Sequence, residues 1–253
     1  MSAVSLVDRL AYRPKPDGPH ARLGVVWFVV AVGACAVGTI AVAALFAVVA
    51  AVASMQIARA WSSRGRRVDV VVCGIAAAVT APVAVVGPTG LAVGLVAAFA
   101  IALVGSAVTA SNPVVALRCS FLPALAVGAV VVTARTDMGA LVVLLFLLSA
   151  YETGDYLMGS EADGVFEGPV AGMAAVMVVT FTETVLQLGP FETRAAWVFG
   201  GLVAVLAPLG AILASALAPS ADEAGTALRR LDAWLVVAPL WSWMLLSHLG
   251  RVG

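Results

Sequence analysis

The sequence has few charged residues and almost no lysine. Charged residues make up 11% of the 253 positions, Lys15 is the single lysine, and 14 basic residues balance 14 acidic ones. A soluble globular domain carries about 25% charged residues, so this chain has too little polar surface to cover a core in water. The formal net charge of zero also excludes a basic nucleic-acid-binding protein, and we expect no nucleic acid partner.

Cysteine and histidine are also scarce. The three cysteines, Cys35, Cys73 and Cys119, lie in apolar stretches without Cys-x-x-Cys spacing. An odd number of cysteines with such spacing indicates neither a disulfide framework nor a zinc site, and we interpret all three as small buried side chains. A Gly-rich loop followed by Lys-Ser or Lys-Thr is missing, which excludes a P-loop nucleotide site.

Long apolar runs dominate the chain instead. Hydrophobic residues make up 62% of it, and the mean hydropathy is +1.08. A spanning helix needs about 20 apolar residues, so the run 24–58 is too long for one span and is divided near Gly38. We predict an all-α polytopic integral membrane protein with about nine transmembrane helices, the remaining ones at 69–86, 89–107, 114–133, 138–158, 168–188, 196–217 and 232–249.

The distribution of basic residues predicts the orientation. Residues 1–23 are polar and are predicted to form a cytoplasmic N-terminal tail, followed by a single transmembrane domain over 24–253 with N-terminal helices at 24–133 and a catalytic-type core at 138–249. Alternating the nine helices from a cytoplasmic N-terminus puts 11 basic residues on the cytoplasmic side and leaves three outside: Arg135, Arg194 and Arg251. This ratio follows the positive-inside rule and predicts a multi-pass protein of the cell (inner) membrane.

Acidic residues concentrate in two places on the predicted cytoplasmic side. Glu152 and Asp155 end the sixth predicted helix, and Asp232, preceded by Arg229 and Arg230, begins the ninth. Glu152 and Asp155 are three residues apart and therefore share a helix face. Because ionisable residues at membrane depth are costly and commonly functional, we predict that both groups meet in one polar site. Carboxylates without His or Cys partners suit Mg²⁺, which assists phosphoryl and nucleotidyl transfer.

Other polar, aromatic and glycine residues have structural interpretations. Glu183, inside the seventh predicted helix, is interpreted as a packing or interhelical hydrogen-bonding residue rather than a transport site. Glycines such as Gly33 and the pair Gly200-Gly201 indicate close helix packing. The tryptophans near the C-terminus are predicted to lie in an interfacial belt: Trp234, Trp241 and Trp243. Acidic residues of the loops are interpreted as solvated surface charges: Glu161, Asp163, Asp222 and Glu223.

Two segments carry recognisable motifs, the first of them in two parts. The run from Ser149 to Gly159, S-A-Y-E-T-G-D-Y-L-M-G, is similar to D-T-x-A-Y-x-x-G, and Glu167-Gly168 is similar to the start of E-G-x-x-G-G. The run from Leu228 to Pro239, L-R-R-L-D-A-W-L-V-V-A-P, is similar to L-D-R-x-D followed by an apolar run and Ala-Pro. In helix order and spacing the chain resembles the phosphatidate cytidylyltransferase (CDP-diacylglycerol synthase) family.

This resemblance implies an activity and a set of site residues. The activity is the joining of CTP and phosphatidic acid to give CDP-diacylglycerol and pyrophosphate, in phospholipid biosynthesis. The catalytic residues and Mg²⁺ ligands would be Glu152, Asp155 and Asp232. The resemblance also implies a possible homodimer, and its substrate-binding residues would be Arg229, Arg230, Tyr156, Glu167 and Ser215.

The sequence departs from the family pattern at several positions, and these departures leave two alternatives open. The lysine-containing family segments are missing, and Arg229 takes the place of the first Asp of D-R-x-D. One alternative is a catalytically degenerate homologue that acts as a lipid-binding or partner subunit. The other is a small transporter that uses Glu183. The signatures of CDP-alcohol phosphotransferases and membrane prenyltransferases are absent from the sequence.

Overall fold

The computed structural model describes residues 20–160, 164, 166–187, 189–220, 223 and 225–252. These residues form ten α-helices and no strand, which confirms the all-α prediction. The helices are α1 (His20–Val37), α2 (Thr39–Ser63), α3 (Val70–Ala78), α4 (Thr80–Ala84), α5 (Pro88–Val108), α6 (Pro113–Thr136), α7 (Met138–Gly159), α8 (Glu167–Leu186), α9 (Thr193–Leu217) and α10 (Thr226–Val252).

Among the described residues, six helices are long and apolar enough to cross a membrane, namely α2 and α5 to α9. This finding agrees with a multi-pass membrane protein. The other three predicted spans correspond to α1, to the pair α3 and α4, and to α10. Two of them are shorter apolar helices, and α10 begins with a charged turn that contains Arg229, Arg230 and Asp232. The count of nine spans therefore stays a prediction.

Capping residues and glycine fix several helix ends. The side chains of Asp69, Asn112 and Asp137 accept hydrogen bonds from backbone N–H groups in the first turns of α3, α6 and α7, which satisfies groups that have no partner inside the helix. Gly38 has a φ of 123° and separates α1 from α2, where the sequence analysis placed the division. The predicted span 69–86 is instead two short helices, because Pro82 lacks the N–H needed to continue α3.

Helix α6 lies at the centre of the bundle, in contact with α2, α3, α4, α5, α7 and α10. Small side chains allow this close packing. Thr80 of α4 lies between Gly94 of α5 and Gly128 of α6, and a methyl group at Gly128 would lie 2.6 Å from Thr80 Cγ2. Close contact between small residues is the main source of helix association in lipid. The three cysteines are buried and free, as predicted.

Two of the three tryptophans assigned to an interfacial belt lie in the core, so that prediction was wrong for them. Trp234 packs against Phe46 with ring centroids 5.3 Å apart, and Trp241 packs against Phe199 at 4.7 Å. Both indoles are buried, whereas Trp243 is exposed. The reason is that α10 packs against α2, α6 and α9, and these contacts cover two of the three rings.

The helix directions bring the segments predicted to be cytoplasmic to one end of the bundle. Trp61 Nε1, at the end of α2, donates to the carbonyl of Leu217 at the end of α9 at 2.8 Å. The N–H of Asn112, before α6, donates to the carbonyl of Arg67 at 2.7 Å. We call this the arginine-rich end, because it carries Arg59, Arg64, Arg66, Arg67, Arg118, Arg229 and Arg230.

The opposite end joins the segments predicted to lie outside. Thr39 Oγ1 lies 3.5 Å from the carbonyl oxygen of Ala134, and Gly139 lies beside Pro190. The side of the membrane that each end faces stays a prediction. Most of the predicted tail lies outside the described residues, and α1 begins at His20, before the predicted start at residue 24.

Candidate functional site

Helices α7 and α10 meet at the arginine-rich end through an ion pair. Arg230 Nη1 donates to Glu152 Oε2 at 2.9 Å, and the two side chains are 19% and 22% exposed. Gly24, near the start of α1, lies beside this pair, because a methyl group there would be 3.3 Å from Arg230 Nη1. The ion pair is therefore enclosed by three helices and partly open to the surroundings.

Asp155 and Asp232 lie close to this ion pair. The charge of Asp232 acts on Glu152 and on Asp155, and the charge of Arg229 acts on both aspartates. Together, Glu152, Asp155, Arg229, Arg230 and Asp232 form what we call the carboxylate–arginine cluster. The structure thus brings together the two groups of charged residues that the sequence analysis expected to meet.

Glycines let the helices that carry this cluster approach each other. A methyl group at Gly168 of α8 would lie 2.5 Å from Asp155 Oδ1. A methyl group at Gly210 of α9 would lie 2.7 Å from the Cα of Ala233, next to Asp232 on α10. Any larger residue would push α8 away from α7, or α9 away from α10. These two glycines therefore set the positions of the two aspartates.

Arg229 is fixed by a residue near the end of α9. It is 8% exposed, and its Nη2 donates to Ser215 Oγ at 3.3 Å. The Ser215 hydroxyl in turn donates to the carbonyl of Ala211 at 3.0 Å. Ser215, which the family resemblance suggested as a substrate-binding residue, therefore contacts the cluster through Arg229.

Gln56 of α2 holds the start of α10. Its Oε1 accepts a hydrogen bond from the N–H of Ala227 at 3.0 Å, and its Nε2 lies 3.5 Å from Thr226 Oγ1. The first N–H groups of a helix have no partner inside it, so Gln56 satisfies one of them. The sequence analysis missed this role, because a side-chain bond between two helices far apart in the chain has no periodic signal.

The end of α9 is held by two residues from other helices. Trp61 Nε1 donates to the Leu217 carbonyl, and the Arg118 guanidinium donates to the Ala216 carbonyl. Arg118 also lies over the Trp61 ring, 4.6 Å from its centroid, in a cation–π contact. A cation at a helix C-terminus is favoured by the helix dipole. The end of α9 and the start of α10, which lie beside the cluster, are thus both held by residues of other helices.

Two other substrate-binding residues suggested by the resemblance lie at the ends of α7 and α8. Glu167 is exposed, and its Oε1 accepts a hydrogen bond from the N–H of Gly164 at 3.2 Å. As the first residue of α8, it therefore binds the loop before that helix. Tyr156 is half-buried on α7, one residue after Asp155.

Two further acidic residues that the structure describes, Glu183 and Glu223, have surroundings of their own. Glu183 is buried near the opposite end of α8, where its Oε1 has no hydrogen-bond partner among the described residues; the interhelical hydrogen bond considered for it is therefore not made by that oxygen. Glu223 forms an ion pair with Arg64. Three further predicted surface acids lie outside the described residues: Glu161, Asp163 and Asp222.

The cluster has oxygen ligands of the kind that Mg²⁺ binds, but it is not arranged as a preformed metal site. Among the described residues, no group of three or more His, Cys, Asp or Glu side chains is placed to hold a metal ion. In addition, Arg230 already bonds one oxygen of Glu152. Magnesium binding therefore stays a prediction.

No family model, curated protein or solved structure matches the chain. The fold and the cluster define the class of the protein: an all-α, multi-pass membrane protein with a charged cluster at one end of its apolar helices.

Proposed function

We propose that the carboxylate–arginine cluster binds a phosphate-bearing membrane lipid. The proposal depends on one observation, the meeting of Glu152 and Arg230 beside Asp155 and Asp232 at the end of apolar helices. Ionisable residues near the end of a spanning helix are costly and commonly functional, and we expect a lipid headgroup at the same level. We place the protein in the cell (inner) membrane with its arginine-rich end towards the cytoplasm.

The proposed reaction is that of a phosphatidate cytidylyltransferase. An oxygen of the phosphatidic acid phosphate forms a bond to the α-phosphorus of CTP. The bond from that phosphorus to the β-phosphate oxygen breaks, and pyrophosphate leaves with the electron pair, so CDP-diacylglycerol forms without a covalent protein intermediate. In this proposal Arg229 and Arg230 bind phosphate oxygens, for which the planar guanidinium is well suited. Asp232, Glu152 and Asp155 are the residues proposed to carry Mg²⁺.

The test is the release of pyrophosphate from CTP and phosphatidic acid by purified protein in detergent, with and without Mg²⁺. We expect Mg²⁺-dependent turnover that is lost in Asp232→Asn. Glu223→Gln serves as the control, because this acid lies in the separate ion pair with Arg64 and should leave turnover unchanged. A wild-type protein without turnover, next to an active homologue in the same assay, would contradict the enzymatic proposal.

A second candidate is a catalytically degenerate homologue that binds the lipid without transferring a nucleotide, as a lipid-binding or partner subunit. Two observations favour it: the ion pair that already engages Glu152, and the single lysine, Lys15, which lies outside both family-like segments. The two candidates differ in one measurable respect. The degenerate homologue is stabilised by phosphatidic acid but releases no pyrophosphate, whereas the enzyme does both.

A further inference from the structure

Tyr151 is a buried polar residue beside the cluster that the sequence analysis did not single out. It is 3% exposed, and its hydroxyl has no hydrogen-bond partner among the described residues. The charges of Asp155, Asp232 and Glu152 all act on this hydroxyl. Buried polar groups nearly always have a partner, since leaving one unsatisfied is destabilising. An unsatisfied donor at a candidate binding site points to an acceptor on a ligand.

The ring of Tyr151 is held in place by α8. A methyl group at Gly172 would lie 2.7 Å from Tyr151 Cδ2 and 2.8 Å from its Cε2. The backbone of α8 therefore packs directly on one side of the ring and restricts its rotation. Because the ring is fixed, the hydroxyl is a preorganised donor, and a ligand that accepts from it pays little for ordering the side chain.

The position of Tyr151 along α7 indicates which part of a lipid it meets. Helix α7 runs towards the arginine-rich end, and Tyr151 precedes Asp155 by four residues. One helical turn rises about 5.4 Å, so Tyr151 lies about one turn on the hydrocarbon side of Asp155. In a glycerophospholipid the acyl-ester groups lie on the hydrocarbon side of the phosphate. The three nearby carboxylates disfavour a second anion at this hydroxyl and favour a neutral acceptor.

We propose that the Tyr151 hydroxyl donates a hydrogen bond to an acyl-ester carbonyl of the lipid whose phosphate binds at Arg229 and Arg230. This inference rests on the proposed lipid function and narrows its substrate class to ester-linked glycerophospholipids. An ether-linked lipid has the same phosphate and chain length but lacks the carbonyl. Its binding leaves the tyrosine hydroxyl unsatisfied, and a site with an unsatisfied polar group discriminates strongly.

The experiment compares dioleoyl phosphatidic acid with its dialkyl ether analogue, by binding to the purified full-length protein in detergent. We expect the wild-type protein to bind the ester about tenfold more tightly, the value of one hydrogen bond of about 1.4 kcal/mol. Tyr151→Phe should bind both lipids with the affinity that the wild type has for the ether. Because the hydroxyl has no partner among the described residues, this variant should keep the wild-type Tm or exceed it.

Ser106→Ala is the matched control. Ser106 is buried on α5, its hydroxyl also lacks a partner among the described residues, and α5 packs mainly against α3, α4 and α6. The variant should keep the preference for the ester. Equal binding of ester and ether by the wild type, or a preference that survives in Tyr151→Phe, would overturn the role of Tyr151 and leave the lipid site intact. Failure of the wild type to bind either lipid would overturn the lipid function as well.

Discussion

Arg230 on α10 donates a hydrogen bond to Glu152 on α7 at 2.9 Å, although 78 residues separate the two. The bond connects two of the segments in which charged residues interrupt an otherwise apolar chain. It also brings Asp155 and Asp232 into one electrostatic environment. The proposed lipid site depends on this contact. The contribution of the contact to stability and its contribution to lipid binding can be measured in separate experiments.

Replacing Glu152 with Gln should destabilise the fold. The substitution preserves the shape of the side chain but removes the counter-charge of Arg230 in a pair that is only about one-fifth exposed. We expect the free energy of unfolding to fall by about 1–3 kcal/mol, seen as a drop of several degrees in Tm by tryptophan fluorescence. The control Glu223→Gln breaks a more exposed pair with Arg64 and should cost about 0–1 kcal/mol. Equal losses would contradict the structural importance of the Glu152 pair.

Replacement by alanine should change the stability of the fold differently at two glycines of α9. A methyl group at Gly210 would lie 2.7 Å from the Cα of Ala233 and would push α9 away from the turn that carries Asp232, whereas Gly201 has nothing within 4 Å. We expect Gly210→Ala to destabilise by about 1–3 kcal/mol. Gly201→Ala should be neutral, or stabilising by up to about 1 kcal/mol, since Gly disfavours a helix. Thermal unfolding measures both, and a neutral Gly210→Ala would argue against the close crossing.

Gln56 should act as a cap for α10. Gln56→Leu removes the acceptor for the N–H of Ala227 and should cost about 1 kcal/mol, the usual value of an N-terminal cap. Gln56→Glu keeps the acceptor and adds a negative charge near the positive end of the helix dipole, so its Tm should match the wild type or exceed it. Hydrogen exchange at the start of α10 should rise in the Leu variant only. Faster exchange in both variants would show that the carboxylate of Gln56→Glu does not replace the side-chain amide of Gln56 as the acceptor for the N–H of Ala227.

The orientation can be tested with single cysteines in exposed positions. Ser63 ends α2 at the arginine-rich end and Thr193 begins α9 at the other, and both are exposed. The three native cysteines are buried and should not react with a membrane-impermeant maleimide. In intact cells we expect labelling of Thr193→Cys but not of Ser63→Cys, and the reverse in inverted vesicles. The opposite labelling pattern would contradict the predicted orientation.

The sequence predicted the course of the chain well, because helix ends depend on local residues. The sixth predicted span, 138–158, corresponds to α7 (Met138–Gly159), which begins where Asp137 caps it. The meeting of Glu152 with the start of α10 followed from counting crossings. An even number of helices runs between the α7–α8 loop and the α9–α10 loop, so both loops lie at the same end.

Contacts that depend on helix rotation could not be predicted. The spanning helices are apolar on nearly every side, so the sequence does not indicate which face packs inward. For this reason the roles of Gln56 on α2 and Tyr151 on α7 were missed. Trp234 and Trp241 lie on α10 and were assigned to the interface because tryptophan is enriched there, although both are buried. Glycine content has the same ambiguity: Gly200 packs on Thr180, while its neighbour Gly201 faces open space.

The most direct test of a phosphate-lipid site is the change in Tm that phosphatidic acid causes in the wild-type protein and in Arg230→Gln, with phosphatidylcholine as the control lipid. A ligand that binds only the folded state raises Tm. We expect phosphatidic acid to raise the wild-type Tm by several degrees and phosphatidylcholine to have little effect. Arg230→Gln should lose most of the phosphatidic acid effect. Equal shifts from both lipids, or a full phosphatidic acid shift in Arg230→Gln, would contradict binding at the carboxylate–arginine cluster.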